Sequence, residues 1–205
     1  MITMLACPPP LNIVILAAGF GHRLGAEKPL VRIRGESLLR RTANLVARLP
    51  GRCFVVVPPN AARFRRELSD LAVTRLENPD RAEGLASSVR LGVARASRAA
   101  GILFLPVDLA ELKLTELQRL VRLWRSAPQR VVARRVGDAP ATPLILPKWL
   151  YPKARELRGD VGLRAVLKDL PRESVRLVEL PSAAWDVDTP QELHVARRRF
   201  RAARL

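Results

Sequence analysis

Residues 12–30 read Asn12-Ile13-Val14-Ile15-Leu16-Ala17-Ala18-Gly19-Phe20-Gly21-His22-Arg23-Leu24-Gly25-Ala26-Glu27-Lys28-Pro29-Leu30. Residues 12–17 are a short apolar run of the kind that forms a strand buried on both faces. A glycine-rich loop follows over residues 18–27. Gly19, Gly21 and Gly25 have no Cβ, so backbone amides there can approach an anion closely. The loop is not a dinucleotide-binding turn, whose third glycine would fall at position 24, here Leu24. It is not a Walker loop either, because Lys28 does not follow a glycine and no Ser or Thr follows Lys28. Its distinguishing feature is a pair of cations, Arg23 and Lys28. Neutralising phosphate charge is the central task in phosphoryl-type transfer. A strand, a glycine loop and two cations together predict a triphosphate site at the head of an α/β domain.

Outward from this stretch, apolar runs alternate with helical patterns. Strands are predicted over residues 53–57, 72–76, 101–106, 131–136, 143–146 and 174–180. Helices are predicted over residues 36–49, 60–71, 84–97, 148–156 and 162–170. Thr115 and Gln118 read as a capping box opening another helix, with Leu117, Leu120, Val121 and Trp124 on its inner face. A last helix starts at Thr189, with Pro190 in its first turn and Glu192 three residues after the cap. Leu193, Ala196 and Phe200 share its inner face. The alternation predicts one α/β domain over residues 1–205, a Rossmann-like three-layer sandwich on a mostly parallel sheet. Residues 1–10 read as an irregular leader. Ligands of such sheets bind beyond the carboxyl ends of the strands, which directs attention to the residues after Ala17, Pro106 and Leu180.

Composition removes several classes of function. The 205 residues carry a net charge of +17, with 31 arginines against five lysines. The nine aromatic residues are scattered, whereas a single-strand binder interleaves aromatics with its basic residues. A solvated, arginine-rich surface is therefore expected, and nucleic acid is not an expected partner. No uninterrupted apolar run approaches the roughly 18 residues of a membrane span. The opening MITMLACPPP lacks a basic n-region, so a cytoplasmic location is expected. Two cysteines, Cys7 and Cys53, are too few for a disulfide scaffold and are expected to be inert. Two histidines exclude a three-His zinc site within the chain, and His22 is expected to be an exposed loop residue. Trp185 is expected in the core and Asp160 as a helix cap.

The pattern Leu-Ala-Ala-Gly-x-Gly-x-Arg-x-Gly-x-x-Lys-Pro-Leu over residues 16–30 resembles the signature of nucleotidyltransferases of the GT-A-like fold. Within them the chain most resembles the MobA-like family, and in it the molybdenum cofactor cytidylyltransferases. Three further blocks support this in the family's order. Residues 77–92, running from Asn78-Pro79 to Gly84-Leu85-Ala86-Ser87-Ser88, resemble its Asn-Pro to Gly-Met-x-Ser-Ser block. Gly159-Asp160-Val161-Gly162-Leu163-Arg164 resembles its Gly-Asp-x-Gly-x-Arg block. Asp186-Val187-Asp188-Thr189-Pro190 resembles its closing Asp-x-Asp-Thr-Pro segment.

The resemblance implies transfer of a nucleoside monophosphate to an acceptor phosphate with release of pyrophosphate. It implies Arg23, Lys28 and Asp108 as catalytic residues. The nucleotide would be held by Leu16, Ala17, Ala18, Gly19, Gly21, Arg23, Lys28, Ser87 and Ser88. A magnesium ion would be held by Asp108 with Asp186, or with Asp188 in its place. This agrees with general chemistry: magnesium takes one or two carboxylates plus substrate phosphates, and an acceptor phosphate needs no Ser, Cys or His to activate it. Ala18, where guanylyl-transferring members tend to carry glycine, points to CTP rather than GTP. The implied acceptor is a phosphorylated small molecule, molybdopterin or the molybdenum cofactor, with a molybdoenzyme as a maturation partner. Two departures fall on the acceptor side. Leu109-Ala110 stands where the family has Met-Pro or Gln-Pro, and Thr142-Pro143 where it has Asn-Pro or His-Pro. They keep open a sugar or polyol phosphate as acceptor, and a non-catalytic relative that acts as a binding partner in cofactor maturation.

Overall fold

Strand β1, Leu11–Leu16, lies at the centre of a seven-stranded sheet. The protein is described from a computed structural model over residues 7–19 and 26–202. After β1, a single turn of 3-10 helix at Lys28–Leu30 leads into a small ribbon of β2 (Arg32–Ile33) and β3 (Glu36–Ser37). Helix α1 (Leu38–Val46), β4 (Cys53–Val57), α2 (Ala62–Glu67), β5 (Val73–Glu77), α3 (Leu85–Ala96) and β6 (Gly101–Pro106) follow in turn. The second half contributes α4 (Leu114–Ser126), β7 (Val131–Val136), β8 (Ala139–Pro147), α5 (Tyr151–Arg155), α6 (Arg164–Leu167), β9 (Val175–Val178) and α7 (Pro190–Ala202).

The strand order is β5-β4-β1-β6-β8-β7-β9. Only β8 runs against its neighbours, pairing antiparallel with both β6 and β7. The other pairings are parallel. Side chains alternate between faces, so each strand feeds two cores. Ile13, Ile15, Val55, Leu103 and Leu105 pack with α1, α2 and α4 on one side. Val14, Phe54, Val56, Ile102 and Phe104 pack with α3, α5 and α6 on the other. The result is the expected three-layer α/β/α sandwich. Each fully buried Ile, Leu, Val or Phe contributes about 1.5–3 kcal/mol by leaving water. Gly101 lets α4 close on the sheet, since a Cβ there would stand 2.4 Å from Trp124 Cζ2.

Several boundaries differ from the sequence reading. The helix predicted from residue 36 begins at Leu38, because Glu36 and Ser37 pair with β2. Ser37 caps that helix, its Oγ accepting from Arg40 N at 3.1 Å. The capping box at Thr115 does not form: α4 starts at Leu114 with Lys113 at its cap. Glu116 instead accepts a hydrogen bond from Ser182 N at 3.1 Å and another from the Ser182 hydroxyl. The predicted box on α7 does form. Glu192 N donates to Thr189 Oγ1 at 3.2 Å, and the Glu192 carboxylate accepts from Thr189 N at 2.8 Å. Ala196 is buried on that helix, with Leu193 and Phe200 packed beside it against Ile33, Leu38 and Val187.

Candidate active site

Chain order along the sheet reverses beside β1. From β1 the chain moves out to β4 and β5, then returns to place β6 on the opposite side. The carboxyl ends of β1 and β6 therefore face a shared crevice, with no crossover to cover it. A cleft of about 610 Å³ opens there. Leu16, Ala17, Ala18 and Gly19 form the wall beyond β1, and Pro106, Val107 and Asp108 the wall beyond β6. Ser88 and Val89 of α3 close one side; Arg134, Thr142, Asp186 and Asp188 close the far side.

Lys28 is carried into the cleft by its 3-10 turn, which the buried Pro29 anchors. Its Nζ donates to Asp108 Oδ2 at 2.8 Å and also to Asp188 Oδ1. Burial acts to lower the Lys28 pKa, but the Asp108 and Asp188 carboxylates outweigh it and hold the ammonium above its ordinary value. The other oxygen of Asp108, Oδ1, is buried and has no hydrogen-bond partner among the described residues. Leaving a buried carboxylate oxygen unpaired is costly, and a cation supplied with a substrate would satisfy it. The Asp108 carbonyl accepts from Val187 N at 3.1 Å. That bond ties the strand end to the segment carrying the other two carboxylates.

Asp186 lies beside Arg134, whose Nη1 is 3.4 Å from Asp186 Oδ1. Burial raises the Asp186 pKa, and the nearby Asp108 charge raises it further against the pull of Arg134. Asp108, Asp186 and Asp188 are hard oxygen donors, suited to a magnesium- or manganese-like ion. Among the described residues no group of three or more His, Cys, Asp or Glu is arranged to hold a metal unaided. The donor set therefore fits an ion that takes one or two carboxylates and completes its shell with phosphate and water.

The α3 side of the cleft is organised by Asn78 at the end of β5. Asn78 is buried, and its Nδ2 donates to Ser87 Oγ at 2.9 Å and to Ser88 Oγ at 3.0 Å. Ser87 in turn donates to the Gly84 carbonyl at 2.8 Å. Of the two serines only Ser88 lines the cleft. Ser87 sits beside it, bonded to Asn78 and to the Gly84 carbonyl. The start of α3 is held from 75 residues away: Leu85 N donates to Asp160 Oδ1 at 3.3 Å, and Ala86 N to the Gly159 carbonyl at 3.2 Å. Asp160 is thus a helix cap, of α3 rather than of the helix that follows it. The approach requires Gly84, which has φ +116° and would place a Cβ 2.7 Å from the Asp160 backbone.

Leu16, Ala17, Ala18, Gly19, Lys28, Ser88, Asp108, Asp186 and Asp188 thus meet at one cleft. The remaining expected residues, Gly21 and Arg23, lie outside the described residues, as does His22. Trp185 is not in the core. It is 47% exposed, with the Arg199 guanidinium 3.9 Å from its ring centroid. Sequence reasoning missed Arg134, which it did not single out and which lines the cleft. Its only signal was a basic residue following an apolar run at the carboxyl end of a strand.

Residues 13–175 match the sequence profile of the MobA-like NTP transferase domain. The chain belongs to this family. A relative from Rhodopirellula baltica, named "Probable molybdenum cofactor guanylyltransferase", is 29% identical over 92% of this chain and 92% of its own length. "Purine catabolism protein PucB" of Bacillus subtilis is 30% identical over 93% of this chain and 97% of its own length. Solved structures with a similar fold include the Mycobacterium tuberculosis protein Rv0371c in complex with manganese, at TM-score 0.74 and 20% identity. They also include 4-diphosphocytidyl-2C-methyl-D-erythritol synthase from Anaerococcus prevotii, at TM-score 0.75 and 14% identity. The first covers 92% of this chain and 98% of its own, the second 94% and 96%.

Proposed function

We propose that this MobA-like chain transfers CMP from CTP to a phosphorylated acceptor of the molybdenum cofactor type. An acceptor phosphate oxygen attacks the α-phosphorus, the bond to the bridging α–β oxygen breaks, and pyrophosphate leaves with that bond's electron pair. The observation that carries this reading is the Lys28 ammonium seated between Asp108 and Asp188, beside an unpaired, buried Asp108 oxygen. Lys28 would exchange its carboxylate contacts for triphosphate oxygens. Asp108, with Asp186 or Asp188, would hold a magnesium ion. When bound, that ion supplies charge neutralisation at the phosphates. Ala17, Ala18 and Gly19 would let the nucleotide lie against the backbone, and Ser88, oriented by Asn78, would bound its other side.

CTP as donor rests on Ala18. The relatives named guanylyltransferases make GTP the competing donor. Calorimetric titration with CTP, GTP, ATP and UTP, each with and without magnesium, separates them. Magnesium-dependent micromolar binding of CTP, followed by pyrophosphate release with molybdopterin, is expected. Tighter GTP binding overturns the donor assignment alone. Failure of all four nucleotides to bind overturns the transferase reading.

A further inference from the structure

We infer that the end of the sheet opposite the cleft binds a single-stranded polynucleotide, with a row of cations on its phosphates and Trp149 against one of its bases. The inference goes beyond the transferase reading and does not depend on it.

The fold makes the row. Arg52 leads into β4, Arg98 precedes β6, Lys148 follows β8 and Arg130 leads into β7. β8 runs antiparallel, so its last residue, Pro147, pairs with Gly101, the first of β6. All four cations therefore stand at one end of the sheet, along the order β4-β1-β6-β8-β7. Hydrogen bonds tie their segments together. Arg52 N donates to Asn12 Oδ1 at 3.3 Å, and Asn12 Nδ2 to the Ala96 carbonyl at 3.0 Å. Lys148 N donates to the Ala100 carbonyl at 2.9 Å, and Trp149 Nε1 to the Gln129 carbonyl at 2.8 Å. At about 4.8 Å per strand, four spacings give a row of roughly 19 Å, the length of about six stacked nucleotides at ~3.4 Å each.

Nothing within the protein neutralises this row. All four side chains are exposed, and among the described residues no carboxylate pairs with any of them. Residues 47–53, 95–101, 125–131 and 147–150, which form this end, include no Asp or Glu. Elsewhere arginines are matched, Arg40 by Asp70, Arg63 by Glu27 and Arg90 by Glu83. Arg95 and Arg125 also lie at this end, but in the last turns of α3 and α4, where the helix dipole favours a cation. Arg52, Arg130 and Lys148 lie outside the α-helices and have no such role. Like charges set side by side repel, and a linear polyanion would relieve them together.

Trp149 selects the kind of polyanion. It is 51% exposed, and its one donor is used on Gln129, so the ring is what it offers to solvent. Among the described residues no other large apolar side chain is exposed at this end. A protein partner calls for an apolar interface core, and a lipid surface for a broader apolar face. A single strand needs only a charged track and an aromatic plane, because every base has a π-face to stack. Aromatics that are scattered in sequence gave no reason to expect nucleic acid; in the fold one of them stands between Lys148 and Arg130.

The test uses the full chain and a labelled oligothymidylate of about 12 nucleotides, within the range of such sites. Anisotropy across a salt series is expected to show binding whose log K falls against log salt with a slope of about −2.8, four phosphates at about −0.7 each. The triple variant Arg52→Gln, Arg98→Gln, Arg130→Gln is expected to bind at least tenfold more weakly, with a slope near −0.7. Its melting temperature and pyrophosphate release should match wild type, since these side chains are exposed and far from the cleft. Trp149→Leu is expected to weaken binding at least fivefold at an unchanged slope, and Trp149→Phe to recover most of the loss. No binding by wild type, or equal binding by the triple variant, overturns the cation row. Unweakened binding by Trp149→Leu, or a duplex of the same length bound as tightly, overturns the single-stranded ligand. Vesicles of phosphatidylcholine and phosphatidylserine that bind wild type more tightly than the strand does, and lose the triple variant, overturn it in favour of a membrane.

Discussion

Lys28 reaches Asp108 across the cleft, Nζ to Oδ2 at 2.8 Å, although 80 residues separate them in sequence. The same ammonium binds Asp188, so one cation joins the end of β6 to the segment before α7. If substrate phosphates displace these contacts, Asp108 is freed at the moment a metal–nucleotide complex arrives. Asp108→Asn is expected to reduce pyrophosphate release by about 100- to 1000-fold, the scale of losing one preorganised electrostatic group. Steady-state assay of the variant with the best wild-type acceptor checks this, and retained turnover removes Asp108 from the mechanism.

A cation that binds only the folded state raises stability by mass action, by about 2.7 kcal/mol at a hundredfold excess over its Kd. Magnesium or manganese with CTP is expected to raise the melting temperature of wild type. The metal-dependent part of that rise is expected to vanish in a double variant, Asp108→Asn with Asp186→Asn. Thermal melts with and without EDTA measure it. An equal metal effect in both proteins would place the ion elsewhere.

The fold predicts unequal thiols. Cys53 is buried on β4, and desolvation pushes its pKa up to about 12, so almost no thiolate exists at neutral pH. Cys7 is exposed. Native protein at pH 7.5 is expected to react with one equivalent of a thiol reagent, and with two only in denaturant. Two fast equivalents in native buffer would contradict the packing of β4.

Glu83 lies between α3 and the 157–160 segment. Hydrogen bonds from Arg90 chiefly, and from Gly159 N, hold its carboxyl at about 2 against an ordinary 4.5. A carboxylate whose pKa is depressed on folding gives stability that is present above the unfolded value and lost as pH falls through the folded one. Wild type is therefore expected to lose stability between pH 4.5 and 2. Glu83→Gln should be less stable than wild type at pH 7 and should approach it near pH 2. Denaturant midpoints across this range test the convergence; parallel curves would refute it.

Gly84→Ala tests the long-range cap on α3. Its Cβ would meet the Asp160 backbone at 2.7 Å with φ at +116°, so either the glycine or the 159–160 segment must move. Overpacking and strain of this kind cost about 1–3 kcal/mol each. A fall of several degrees in melting temperature is expected, with weaker nucleotide binding through displacement of Ser88. A variant with unchanged melting would show that the cap yields freely.

The sheet was legible in sequence where local signals agreed. The runs at 53–57, 101–106 and 131–136 match β4, β6 and β7 at both ends, because each opens on apolar or β-branched residues and has glycine, proline or charge at or beyond its ends. The helix predicted over 60–71 shrank to Ala62–Glu67, since Phe64 is the one buried residue within α2. β8 extends to Ala139 through residues that are only half-buried. Their pairing comes from β7, a tertiary partner that no local pattern announces. The same limit hid Arg134: a fork facing a cleft and one facing water look alike in a one-dimensional pattern. Lys28, Asp108 and Asp188 were legible because their motifs are local, though nothing in the sequence stated that one ammonium would join both carboxylates.

The cap that holds α3 and the bridge that closes the cleft both draw on residues from distant stretches of the chain. Asp188 follows Lys28 by 160 residues. At about 5–20 residues per second of synthesis, that separation takes on the order of 10–30 s on the ribosome. During this interval the nascent chain already has its glycine loop and Lys28, but lacks the segment that seals them. The cleft becomes whole only once residues 186–188 have been made, so a chain that stops before Asp186 would carry all seven strands of the sheet with a defective site.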